Sequence, residues 1–216
     1  MKLYLASQKL GPKPELLLNL VGDNKNVCVI ANALDDKPLE HRKDRVNKEM
    51  HQMKKLGLNP VELDLRDYFD LKDSEQLLYD FLKEKSLVWI RGGNVFLLSR
   101  AFGKTGFDNV IKKLVKSNKI VYGGYSAAVI LANKSLLGAE LVDDINSIPN
   151  NYDKNMTLKS LELLDFYLIP HYNSVDDWAV NVKKHVSFIK NHNKKIITMN
   201  DNEVYYCEGS EGSVIK

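Results

Sequence analysis

The stretch Lys119-Ile-Val-Tyr-Gly-Gly-Tyr-Ser-Ala-Ala-Val-Ile-Leu-Ala132 decides how the chain is read. Ile120, Val121 and Tyr122 have the character of a buried strand. Two glycines and Ser126 follow, and the chain passes at once into a helix-forming run, Ala127 to Ala132. Strand, tight turn and helix in that order make a nucleophile elbow. In an elbow the serine hydroxyl projects from the sheet edge, and the N–H of the next residue is free to hold an oxyanion. Gly124-Tyr-Ser-Ala-Ala128 fits the pattern G-x-S-x-G except at its last place, where Ala128 replaces glycine. The same string also describes a plain glycine turn whose serine caps the next helix. The flanking sequence must decide between them.

Upstream, apolar runs alternate with amphipathic ones. Lys2 to Ala6 reads as a strand, and Glu15 to Val21 as a leucine-rich helix. Asn26 to Asn32 has the continuous apolar character of a strand buried on both faces. Within the charged segment Asp35 to Leu58, Leu39, Val46, Met50 and Met53 fall at roughly helical spacing, so a helix is expected to end near Gly57. A strand over Asn59 to Leu65, a helix over Ser74 to Glu84 and a strand over Leu87 to Ile90 come next. The last runs into Arg91-Gly-Gly-Asn-Val-Phe-Leu-Leu98, where another helix opens, and Phe107 to Lys116 is a further helix. Such alternation predicts an α/β fold with a mainly parallel sheet flanked by helices on both faces. Residues 133 to 157 read as a long loop. Phe166 to Ile169 is a strand ending at Pro170-His171, Trp178 to Asn191 a helix, and Lys195 to Met199, Val204 to Cys207 and Ser213 to Ile215 closing strands.

With 216 residues, 44% of them hydrophobic and 27% charged, one domain spanning 1–216 with a full core is expected. The 31 basic and 28 acidic residues give a net charge of +3, too small a field to imply nucleic acid or a membrane surface as partner. Cys28 and Cys207 both lie in apolar, strand-like surroundings and are expected as buried free thiols. No run approaches the ~20 apolar residues of a membrane span, and the N-terminus reads as a strand, not a signal peptide. A cytoplasmic location is the default expectation.

Parallel α/β sheets carry their sites at the carboxyl ends of strands. Gly92-Gly93-Asn94, Ser126 and His171 all fall at such ends. A nucleophilic serine needs a base, and the base needs a carboxylate to fix its tautomer. Of the five histidines, His41, His51, His185 and His192 belong to charged helical segments, whereas His171 follows an apolar strand and a proline. The intervening loop offers Glu140, Asp143 and Asp144 as acids, giving the order serine, acid, histidine. The Gly92-Gly93 turn can point a second N–H at an oxyanion beside that of Ala127. Gly103-Lys-Thr105 lacks the first glycine of a P-loop, and no CxxC or HExxH occurs, so neither nucleotide nor metal chemistry is expected.

Three pieces together, Trp89-Ile-Arg-Gly-Gly-Asn-Val-Phe-Leu-Leu98, Gly123-Gly-Tyr-Ser-Ala-Ala128 and Ile169-Pro-His-Tyr172, resemble peptidase family S51, which includes aspartyl dipeptidase (peptidase E) and cyanophycinase. The resemblance implies a three-layer, flavodoxin-like sheet related to class I glutamine amidotransferases. It implies Ser126 as nucleophile, His171 as base, the Gly93 and Ala127 amides as oxyanion hole, and Asn94 as a substrate contact. Asp144 is taken as the third member, with Asp143 and Glu140 as competitors. Two positions depart from the family: Ala128 replaces its usual glycine, and no counterpart is found for the arginine that holds the substrate's aspartate. Arg91 stands beside the glycine turn but is not assigned that task.

The expectation is a serine peptidase-like hydrolase of a short peptide or amide, with an Asp-X dipeptide as the analogue substrate. No cofactor is implied, and the protein is a monomer or homodimer. An esterase or other acyl hydrolase and a non-catalytic binding protein of the same fold are the alternatives, while a glutaminase would want cysteine in place of Ser126.

Overall fold

The computed structural model describes residues 1–176 and 178–216. Among the described residues nine strands form around the apolar runs: β1 (Lys2–Ala6), β2 (Asn26–Ile30), β3 (Asn59–Glu62), β4 (Leu87–Ile90), β5 (Val121–Tyr125), β6 (Tyr167–Ile169), β7 (Ile196–Thr198), β8 (Val204–Glu208) and β9 (Glu211–Ile215). Seven of them make one sheet in the order β3-β2-β4-β5-β1-β8-β9. The first five are parallel, and β8 and β9 extend the edge antiparallel.

Among the described residues seven α-helices connect these strands: α1 (Pro14–Val21), α2 (Leu39–Lys55), α3 (Ser74–Leu82), α4 (Val95–Thr105), α5 (Phe107–Lys116), α6 (Ala127–Ala132) and α7 (Ala179–Asn191). Side chains alternate across a strand, so each strand feeds two cores. Tyr4, Val27, Val29, Leu87, Trp89 and Val121 pack with α1 and α2. Leu3, Leu5, Cys28, Ile30, Val88, Ile90 and Tyr122 pack with α3, α4, α5 and α6. The expected three-layer α/β architecture follows, and both cysteines are free and buried.

Helix α5 shows how directly pattern becomes packing. Phe107, Val110, Ile111, Leu114 and Val115 are its buried residues, at the i, i+3, i+4, i+7, i+8 spacing of one apolar stripe. Helix α2 departs from its hydrophobic reading. Its buried face is Arg42, Val46, Glu49 and Met53, while Leu39 is exposed. Arg42 is buried because three carboxylates surround it: Asp35 and Glu62 at 2.8 Å and Asp64 at 3.0 Å.

Strands β6 and β7 form a small parallel sheet of their own rather than extending the main one. Their register pairs Ile169 with Thr198. Both therefore end at the same edge, and α7 covers them through Val182, Val186 and Ile189. Among the described residues no helix is long and apolar enough to cross a membrane.

Candidate active site

Ser126 closes β5 and opens α6 with φ 56° and ψ −105°. A non-glycine residue in that region is strained, at a cost of roughly 1–3 kcal/mol, and such residues concentrate at functional sites. The hydroxyl makes no cap on α6. The plain reading of a serine cap therefore fails: an N-cap serine would lie in extended backbone and accept from the first helical turn. Instead Ser126 lines a cavity of about 680 Å³ at the carboxyl edge of the sheet, together with Gly93, Asn94, Ala127 and His171.

Glycine is required around it for reasons of space. A methyl group on Gly92 would stand 2.8 Å from Ser126 Cβ, and one on Gly93 would meet the Ala33 carbonyl. At Gly124, φ is 153° and a methyl would meet the Ile90 carbonyl and come within 2.7 Å of Ala128 Cβ. That contact answers the departure at Ala128: its side chain is fully buried in the space the missing Gly124 side chain leaves. The N–H groups of Gly93 and Ala127 have no hydrogen-bond acceptor among the described residues.

One buried carboxylate ties the two turns together. Glu49 of α2 accepts from the Tyr125 hydroxyl at 2.6 Å and from Trp89 Nε1 at 3.0 Å, and Arg91 Nε lies 3.8 Å away. Arg91 in turn donates to the Gly92 carbonyl. It thus braces the glycine turn from within the fold and does not line the cavity.

His171 is buried, also at positive φ (64°), and its backbone N–H donates to Ser7 Oγ at 2.8 Å. Its ring Nδ1 is bonded to Asp201 Oδ1. A carboxylate only accepts, so Nδ1 carries the proton and Nε2 is left as the basic nitrogen. Burial lowers the imidazole pKa below its ordinary 6.5, outweighing the opposing pull of Asp201. The Trp178 ring meets the imidazole edge-on, with centroids 4.2 Å apart.

The carboxylate on His171 is therefore Asp201, not Asp144. Asp144 turns its side chain to the N–H of Asn146 at 2.9 Å, and its carbonyl accepts from Asn94 Nδ2 at 2.7 Å. Asn94 is committed locally as well, since its Oδ1 caps α4 by accepting from Phe96 N at 2.9 Å and Leu97 N at 3.4 Å. Asp143 Oδ2 accepts from Val95 N at 2.8 Å, and burial pushes its carboxyl up to about 6 against that bond. Glu140 is exposed and does not line the cavity.

Asp201 escaped the sequence reading because Asn200-Asp-Asn202 looks like an ordinary turn. The signal lay in topology. A parallel pair of short strands, one followed by His171 and the other by Asp201, brings both to one edge. The turn is fixed by Glu203, which accepts from Asn200 N at 2.7 Å, and by Ser7 N–H on the Glu203 carbonyl at 2.9 Å.

A three-layer α/β protein with a non-capping serine at an elbow, a buried histidine on a carboxylate and a pocket lined by both belongs to the hydrolase class in architecture. The chain is a member of peptidase family S51, whose family model matches residues 6–215. Its curated relatives include an uncharacterized peptidase of Listeria innocua serovar 6a, 27% identical over 162 residues (70% of this chain, 71% of the relative). Another from Pasteurella multocida is 25% identical over 216 residues, covering 92% of this chain and 98% of the relative. The fold matches a candidate peptidase E from Listeria monocytogenes EGD-e with TM-score 0.79 and 22% identity, over 100% of this chain and 98% of that one.

Proposed function

We propose that the chain is a serine-type peptidase that cleaves short peptides through an acyl-enzyme on Ser126, with His171 as base and Asp201 as its carboxylate. The observation that carries this reading is Ser126 itself: a strained, non-capping serine in a cavity shared with a histidine whose Nδ1 is bonded to a carboxylate. A volume of about 680 Å³ suits a ligand the size of a short peptide.

Ser126 Oγ attacks the peptide carbonyl carbon as its proton passes to His171 Nε2. The carbonyl oxygen takes the negative charge and receives the N–H groups of Gly93 and Ala127. The C–N bond then breaks, and Nε2 delivers its proton to the departing amine. Water repeats the sequence on the ester, losing a proton to Nε2, and the proton returns to Ser126 Oγ as the acid leaves. Asp201 stabilises the imidazolium formed in each half and holds the tautomer.

Intact mass after treatment with a fluorophosphonate tests the reading on the wild type, Ser126→Ala, His171→Ala and Asp201→Asn. One adduct is expected on the wild type, none on Ser126→Ala, and strongly slowed labelling on the other two. No adduct on folded wild-type protein would overturn it.

A further inference from the structure

The cavity has two unlike walls. One is apolar and is continuous with the elements that carry the proposed nucleophile and base. Ile130 lies one turn beyond Ser126 on α6, Ile169 two residues before His171, and Val182 one turn beyond Trp178. Val142 adds to this side. The other wall is anionic, with Asp36, Asp143 and Asp144; Lys37 is held 2.9 Å from Asp36.

Among the described residues no arginine lines the cavity. Arg91 is folded against Gly92, Glu49 and Tyr125. His185 supplies no charge either, because burial lowers its pKa and Nε2 is engaged with the Leu137 carbonyl at 3.0 Å.

We infer that the acyl-side residue this site selects is uncharged and apolar, of leucine size, rather than aspartate. The inference rests on the serine-peptidase reading above and deepens it. A carboxylate placed against Ile130, Val142 and Val182 would lose its hydration with no arginine among the described lining residues to pair with it, in a cavity that Asp36, Asp143 and Asp144 also line. A leucine side chain removes its methyl groups from water on the same wall, a gain of the kind that separates substrates by 10- to 200-fold per methylene.

The test is competition against fluorophosphonate labelling of the full chain by three amino-boronic acids, the analogues of leucine, asparagine and aspartate. Boronates cap any activated serine, so the result does not depend on knowing the natural substrate. Protection by the leucine analogue is expected at a concentration at least about 100-fold below that of the aspartate analogue. The isosteric asparagine analogue should fall between them, which assigns part of the difference to charge. Val142→Arg, at a half-buried loop position, should narrow the leucine-to-aspartate ratio at least tenfold, on the order of 1.4 kcal/mol. Ile130→Ala should weaken the leucine analogue alone. Equal or reversed protection on a serine that labels normally would overturn the apolar specificity and leave the peptidase reading standing. Failure of the wild type to label would remove both.

Discussion

Replacing Asp143 by asparagine changes how stability responds to pH, and the size of the effect follows from the site. Asp143 Oδ2 accepts the Val95 N–H, yet burial and the nearby Asp36 charge raise its carboxyl from an ordinary 3.8 to about 6. In the unfolded chain the group releases its proton near pH 3.8, and in the folded protein near 6. Between those values the folded state holds the extra proton, so its stability falls as pH rises through the window, and the whole loss is present above about pH 7. A gap of about two in pKa, at 1.36 kcal/mol each, corresponds to about 3 kcal/mol. Asparagine keeps a carbonyl oxygen for Val95 but cannot ionise. Part of that loss already lies below pH 4, so the stability of Asp143→Asn relative to wild type should rise by roughly 2.4 kcal/mol between pH 4 and pH 8, measured by urea unfolding at both. A difference independent of pH would refute the reasoning, since it would mean that burial does not penalise the charged form.

Asp201→Asn should lower kcat/KM by ~10³–10⁴-fold with an unchanged circular dichroism spectrum, because the amide stabilises the wrong imidazole tautomer; a loss below tenfold would remove Asp201 from the mechanism. Because burial disfavours the imidazolium form of His171, the acid limb of wild-type kcat/KM should lie below pH 6.5, and a limb above it would show that Asp201 dominates. Glu49→Leu leaves the Tyr125 hydroxyl and the Trp89 indole N–H without their acceptor and removes the carboxylate 3.8 Å from Arg91 Nε, for an expected loss of about 3–5 kcal/mol in chemical denaturation. Gly124→Ala, whose methyl would meet the Ile90 carbonyl, should lose far more stability than Gly22→Ala, where φ is also positive but nothing stands within 4 Å of the added methyl. Equal losses would show that the elbow can move to accept a side chain.

Much of this protein is local and therefore legible in one dimension. A buried strand needs only a short apolar run, and an amphipathic helix only its period, so β4, α5 and α6 begin and end where the residues say. The elbow is local too, since Gly124 and Ser126 are set by the turn that joins β5 to α6. His171 could be singled out because a strand end fixes where a side chain points. What no stretch of sequence contains is which strand end meets which.

Asp201 reaches His171 across 30 residues only because β6 and β7 pair in parallel, and nothing in Asn200-Asp-Asn202 distinguishes it from a solvated turn. The hydrophobic spacing of α2 gives no place to Glu49 and Arg42, because hydrophobicity cannot foresee a partner. Arg42 is buried only because Asp35, Glu62 and Asp64 converge on it, and Glu49 because Tyr125 and Trp89 do. Local propensity and hydrophobic period made the layers and the elbow serine readable from the chain itself. The charge pairs depend on low-dielectric contacts between residues distant in sequence, and those exist only once the sheet has set its order and register.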